Sequence, residues 1–164
     1  MKAMLKSATT LVAALFLAAA PAEAQGLEFG AGLTALAGLN GGGTSIGAIG
    51  TIAPRSENQL RFRGDLQVFF ESGTPLMGVG NVIYGLKSAE GGKFRPYLIA
   101  GGGYATLLDD FGSGDFMIGA GAGSKMELTS MTLFGEAKFV NQFASGASAQ
   151  YLQLTAGISL PHAR

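Results

Sequence analysis

Eight stretches of this sequence alternate apolar residues with polar or very small residues at a period of two. The clearest runs from Leu60 to Val68 as Leu-Arg-Phe-Arg-Gly-Asp-Leu-Gln-Val. A period of two sends successive side chains to opposite faces, so the pattern predicts β-strands. The predicted strands cover about 27–37, 44–53, 59–71, 76–87, 94–107, 116–128, 132–143 and 150–160. The second is the least regular, because Ile46, Ile49 and Ile52 do not share a face.

Short turn-forming segments separate these strands. Asn40 to Gly43, Ser72 to Pro75 and Ser88 to Lys93 are rich in Gly, Asn, Ser and Pro, which are the residues that tight turns favour. Each strand has about the length that a tilted strand needs to cross a bilayer. The order predicts an all-β fold, an eight-stranded antiparallel up-and-down transmembrane β-barrel. Strand one then pairs with strand eight, since lipid tolerates no open sheet edge.

The first 24 residues have the three parts of a secretory signal peptide. Lys2 and Lys6 supply the positive region, and Leu11 to Ala20 forms an apolar run. Pro21 then precedes Ala22-Glu23-Ala24, a small-residue cleavage site. The apolar run is shorter than the roughly 20 residues of a spanning helix. We therefore predict a cleaved signal at 1–24 and a single β-barrel domain at 25–164.

The polar face of the strands indicates which way the barrel faces. In a water-soluble barrel this face would be rich in long charged residues, whereas here it is mostly Gly, Thr and Ser. Small residues suit the inside of a narrow eight-stranded barrel. The composition therefore favours an apolar outer wall in the outer membrane of a Gram-negative bacterium. A soluble periplasmic barrel that binds an apolar ligand inside is the alternative.

A balanced set of charges falls on the polar face. Five acidic and five basic residues are expected to line the lumen. Buried charges are costly unless they are paired, so we predict a lumen charge network. Its members are Glu28, Arg61, Arg63, Asp65, Glu71, Lys87, Lys125, Glu127, Glu136 and Lys138.

Composition removes several classes of function. Charged residues make up 13% of the chain, the formal net charge is zero, and there is no cysteine. Nucleic acid is not an expected partner, because phosphate binding needs clustered Lys and Arg. Disulfides and thiolate metal sites are excluded.

The segments Pro96 to Tyr104, Phe116 to Gly123 and Tyr151 to Leu160 resemble the small outer-membrane barrel family that includes the OmpA transmembrane domain, OmpX and the opacity proteins. The resemblance covers residues 26–160 and implies architecture, not a specific activity. It implies outer-membrane lipid, lipopolysaccharide and the barrel-assembly machinery as partners, and a monomer that needs no cofactor. Without Trp, an aromatic girdle would have to come from Phe29, Phe62, Phe70, Tyr84, Tyr97, Tyr104, Phe139 and Phe143.

Candidate chemistry is sparse. His162 is the only histidine and lies beyond the last strand, so neither a Ser-His-Asp site nor the histidine-dependent sites of outer-membrane barrel enzymes can be built. The segment from Gly119 to Lys125 lacks the ending of a phosphate loop. Asp109, Asp110 and Asp115 could hold a divalent cation, but their spacing fits no calcium loop and favours a solvated loop. We predict no catalytic, metal or cofactor site.

Three functions remain open on these grounds. The first is a structural or surface-interaction barrel without catalysis, the second a narrow channel, and the third the soluble barrel. Side chains that fill an eight-stranded lumen disfavour the channel.

Overall fold

The chain folds into one closed antiparallel barrel of eight strands in sequence order. The computed structural model describes residues 26–39, 43–54, 58–71, 73–88, 93–107, 110–144 and 147–160. The strands are β1 Leu27–Gly38, β2 Thr44–Pro54, β3 Leu60–Phe69, β4 Pro75–Gly85, β5 Phe94–Leu107, β6 Asp110–Glu127, β7 Thr132–Ala144 and β8 Ala147–Ser159. The described residues contain no helix long and apolar enough to cross a membrane.

Closure occurs where the sequence predicts it. β1 pairs antiparallel with β8, with Gly30 opposite Ser159 and Gly38 opposite Tyr151. We call the end where β1 begins and β8 finishes the terminal end, and the opposite end the loop end. The predicted fold class is confirmed. The predicted signal at 1–24, Asp109 and His162 lie outside the described residues, as do the middles of several predicted turns.

The connection between β5 and β6 is shorter than predicted. The alternating pattern predicts strands at 94–107 and 116–128 and therefore a loop between them, but β6 begins at Asp110 and Asp115 already pairs with Ala105 of β5. The hydrogen-bond ladder continues because β5 extends to Leu107 and offers backbone partners to β6. Backbone groups that find such partners form a strand even where Gly and Asp have a low intrinsic preference for strands. A register shift between Thr106 and Leu107 accommodates the join.

The two faces of the strands differ sharply. Leu33, Phe62 and Phe94 are each more than 60% exposed on the outside, whereas Arg63, Asp65 and Lys138 are at most 9% exposed inside. β2 also alternates between the two faces, with Ile46 and Ile52 outward, but it places the apolar Ile49 inside. Large apolar side chains are therefore exposed around the wall while charged side chains lie inside, the reverse of a water-soluble domain.

The narrow lumen explains the glycines of the inward face. A Cβ atom added at Gly103 would lie 2.0 Å from the carbonyl oxygen of Gly78. One added at Gly78, on the outward face, would meet nothing within 4 Å. The missing side chain at Gly103 therefore allows β4 and β5 to approach closely, whereas the close approach does not depend on glycine at position 78.

This contrast predicts opposite results for two alanine variants. Gly103→Ala should destabilise the barrel by about 1–3 kcal/mol, because the backbone of β4 must move. Gly78→Ala should be neutral or stabilise by less than about 1 kcal/mol, since it restricts the unfolded chain without a clash. Urea unfolding of the two variants in lipid vesicles measures the difference. Equal destabilisation by both would contradict the inward placement of Gly103.

Candidate functional site

An arginine bridges the lumen between opposite walls of the barrel. The guanidinium of Arg63 on β3 donates to both carboxylate oxygens of Asp65, with Nε–Oδ1 and Nη2–Oδ2 distances of 2.7 and 2.9 Å. The same group donates to both oxygens of Glu136 on β7, including an Nη2–Oε2 contact of 2.8 Å. β3 and β7 are four strands apart in a barrel of eight. Arg63 therefore ties together walls that share no backbone hydrogen bonds.

Three further side chains complete this cluster. Asn81 Nδ2 donates to Asp65 Oδ2 at 2.9 Å, and the Tyr97 hydroxyl donates to Glu136 Oε1 at 2.6 Å. Lys138 Nζ lies 3.9 Å from Asp65 Oδ2. Two buried cations thus match two buried carboxylates. Every one of these charges has an opposite charge or a hydrogen-bond partner, which is what makes their burial tolerable.

A second, uncharged cluster lies toward the β8 side of the lumen. Gln153 Nε2 donates to Gln67 Oε1 at 2.7 Å and to Thr34 Oγ1 at 3.1 Å. The hydroxyls of Thr34 and Thr155 are 3.2 Å apart. All four side chains are buried. These bonds link β1, β3 and β8 across the interior.

An apolar layer occupies the lumen toward the loop end. Phe69 has no exposed surface, and it packs in a buried cluster with Leu36, Met77, Met117 and Val140. The alternating pattern predicts apolar residues on the outer wall and does not predict this inner layer. Its signal is a local loss of alternation, as in Val68-Phe69-Phe70, where neighbouring positions are all apolar.

A small recess opens at the terminal end of the lumen. Its volume is about 40 Å³. Glu28, Arg61 and Lys125 contribute charged groups to its lining, and Phe134 and Arg63 lie among its walls. The Arg63 guanidinium carbon is 5.8 Å from the centre of the Phe134 ring, a cation–π distance.

The ten predicted lumen charges divide into groups. Arg63, Asp65, Glu136 and Lys138 lie together in the buried cluster, and Glu28, Arg61 and Lys125 line the recess. The other three lie apart from both groups.

These three residues lie at the ends of strands. Glu127 pairs with Arg95 at 3.1 Å, with both side chains about half exposed. Glu71 lies beyond the end of β3, where it accepts a hydrogen bond from Ser45 at 3.0 Å. Lys87 lies beyond the end of β4 and is exposed. At these strand ends the charged groups can be solvated by water, so they do not need buried partners.

The structure also shows where Tyr97 and Asp115 lie. Tyr97 does not belong to an outer girdle, because it lies inside the barrel with 4% of its surface exposed. Its hydroxyl requires a partner, and Glu136 supplies one. Asp115 of the acidic loop segment accepts a hydrogen bond from Gln142 at 2.7 Å. Within the described residues, no group of three or more His, Cys, Asp or Glu side chains is placed to hold a metal ion.

Comparison with known proteins identifies the architecture. No protein-family model matches the chain, and no curated protein does. Neisserial surface protein A matches in structure with a TM-score of 0.63 and 15% identity, over 82% of this chain and 94% of that protein. The N-terminal β-barrel domain of Pseudomonas aeruginosa OprF matches with a TM-score of 0.54 and 16% identity, over 81% and 97%. Both are small outer-membrane barrels of eight strands, and this chain shares their fold.

Proposed function

We propose that this protein spans the bacterial outer membrane as a closed barrel with a structural or surface-interaction role and no catalytic activity. The observation that carries the proposal is the reversed distribution of polarity. Large apolar side chains such as Phe62 and Leu154 are exposed around the wall, and ten polar or charged residues of the described part of the chain are buried. An exposed apolar wall of this kind is stable in lipid and prone to aggregation in water.

The soluble alternative requires a large apolar cavity, and the recess formed by the described residues is not one. Sites for small apolar ligands usually have volumes of about 300–1,000 Å³. The recess at the terminal end measures about 40 Å³ and is lined in part by Glu28, Arg61 and Lys125. This volume and these charges favour the membrane barrel.

The channel alternative meets two layers of side chains in series. The Arg63 cluster fills the middle of the lumen with paired charges, and the Phe69 layer adds apolar side chains toward the loop end. Ions would have to break the ion pairs and then cross a dry segment. The side chains that fill the lumen therefore favour a stabilising role over ion transport.

The remaining contacts of the protein follow from this placement. Lipid and lipopolysaccharide would surround the outer wall, and the barrel-assembly machinery would insert the chain as a monomer. An even number of strands puts both termini on one side, the periplasmic one in outer-membrane barrels. The loop end would then face outward and carry any surface interaction.

A fractionation experiment tests this proposal. Expressed with its first 24 residues in a Gram-negative host, the protein should fractionate with outer membranes and begin at Gln25 after cleavage. Unheated samples should migrate differently from boiled ones on detergent gels. A closed barrel has no unpaired edge strand, so it stays folded in detergent until it is heated. Recovery in the soluble periplasmic fraction would contradict the proposal.

The same preparation separates the structural role from a channel. The purified barrel should give no steady ion conductance in planar bilayers, since side chains fill its lumen. Reproducible single-channel steps would support the channel instead.

A further inference from the structure

Two cations in the terminal-end recess lack the partners that the other buried charges have. No carboxylate oxygen among the described residues lies within 4 Å of the side-chain nitrogens of Arg61 or Lys125. Both side chains are only partly exposed, and they repel one another across the recess. Glu28 is the single carboxylate among the described residues of the lining. The recess therefore carries one positive charge more than its own residues neutralise.

The neighbouring charges do not remove this excess. Arg63 and Lys138 are matched by Asp65 and Glu136, and Arg95 is paired with Glu127. Glu28 and Glu127 attract the Lys125 ammonium, but Arg61 and Arg95 repel it. The excess is thus confined to the site that Arg61 and Lys125 share.

Ala53, Ile83 and Phe134 give the recess an apolar wall, and three further lining residues supply neutral donors. Thr51, Thr132 and Ser159 bring hydroxyl groups to the recess from β2, β7 and β8. Gly30 keeps this region open, because a Cβ atom there would lie 2.6 Å from Thr51 Oγ1. Hydroxyls that can donate, beside a guanidinium and an ammonium, form the donor set that binds oxyanions in proteins.

The size of the recess restricts the ligand. A single water needs about 10–15 Å³ of such volume, so about 40 Å³ holds roughly three water-sized groups. The three terminal oxygens of a phosphate monoester fit this volume, with the fourth oxygen at the mouth of the recess, whereas a nucleotide or a sugar exceeds it. We propose that the recess binds a phosphate group, either free or as the monoester headgroup of a lipid.

Calorimetric titration of the folded barrel with sodium phosphate, in a maltoside detergent without phosphate buffer, tests the proposal. Saturable binding is expected, with affinity reduced about tenfold or more in Arg61→Gln and in Lys125→Gln, since each removes a charged hydrogen-bond donor. Lys87→Gln is the matched control. It removes a positive charge from the same end but outside the recess, and should change affinity by less than about twofold at moderate salt.

Glu28→Gln guards against variants that simply fail to fold. It removes the one carboxylate that the described residues bring to the recess. Phosphate binding should therefore become tighter, a gain that a misfolded protein cannot produce. A second arm separates the two sources of phosphate. The barrel is added to vesicles of phosphatidylcholine with phosphatidic acid, and the monoester ³¹P resonance is compared with that of vesicles without protein. The resonance should broaden if the ligand is a headgroup, and should stay unchanged if only free phosphate binds.

Each outcome decides the proposal. Binding of either phosphate source that depends on Arg61 and Lys125 supports it. Absence of saturable binding to both sources overturns it, as does binding that Arg61→Gln and Lys125→Gln leave unchanged.

Discussion

Arg63→Leu should destabilise the barrel by about 3–5 kcal/mol, because removing one partner of a buried ion pair leaves its counter-charges uncompensated. Asp65 and Glu136 would both remain in the lumen, and among the described residues Lys138 would be the one cation left within 4 Å of either carboxylate. The bridge between β3 and β7 would also be lost. Urea unfolding and refolding in lipid vesicles measures the change.

A matched arginine shows whether the effect depends on burial. Arg95→Leu also breaks an ion pair, but Arg95 and Glu127 are 58% and 47% exposed. Solvent screens such pairs, and their loss costs less than about 1 kcal/mol. Equal destabilisation by the two variants would show that Arg63 is not in a buried network.

A second substitution separates charge from packing. Adding Glu136→Gln to Arg63→Leu leaves Asp65 and Lys138 as a balanced pair, so part of the lost stability should return. Arg63→Lys keeps the charge and loses the two-pronged geometry that bonds both carboxylates, and should fall between wild type and Arg63→Leu. If the double variant is no more stable than the single one, the loss at position 63 comes from packing.

The faces of the strands could be predicted wherever alternation is strict. In β3 and β8 a single period of two places Phe62 and Leu154 outside and Arg63 and Gln153 inside, and the structure agrees. Register within a barrel fixes every side chain of a strand once one face is known.

The partners across the lumen could not be predicted in this way. Arg63 and Glu136 are 73 residues apart, and which inward residues meet depends on the tilt and stagger of the closed barrel. Alternation states only that both point inward. The sequence therefore indicated that charges would share the lumen without showing that Arg63 joins two carboxylates.

The interior apolar layer shows a second limit. Phe69 and Leu36 have apolar neighbours on both sides along the chain, so either face suits them by hydrophobicity alone. Their inward position follows from the register of Arg63 and Thr34 in the same strands. Tyr97 was placed wrongly for a related reason. An aromatic ring with a hydroxyl suits both a membrane interface and a hydrogen-bonded interior.

The outer wall gives the second large effect, and it tests the membrane itself. Leu154 lies near the middle of β8 and Leu60 is the first residue of β3, and they are 51% and 54% exposed. In water these two leucines are equivalent, and replacing either with arginine would be harmless. In a bilayer an arginine costs about 2–4 kcal/mol at the midplane and about 0–1 kcal/mol near the interface.

Leu154→Arg should therefore lose about 2–4 kcal/mol of stability in phospholipid vesicles, whereas Leu60→Arg should lose no more than about 1 kcal/mol. The two variants share the same substitution and nearly the same exposure, so the depth of the side chain in the bilayer is the main difference that the comparison measures. Reversible urea unfolding in vesicles of one lipid composition gives both values. Equal and small effects would show that the apolar wall does not contact acyl chains, and the soluble barrel would then be the correct interpretation.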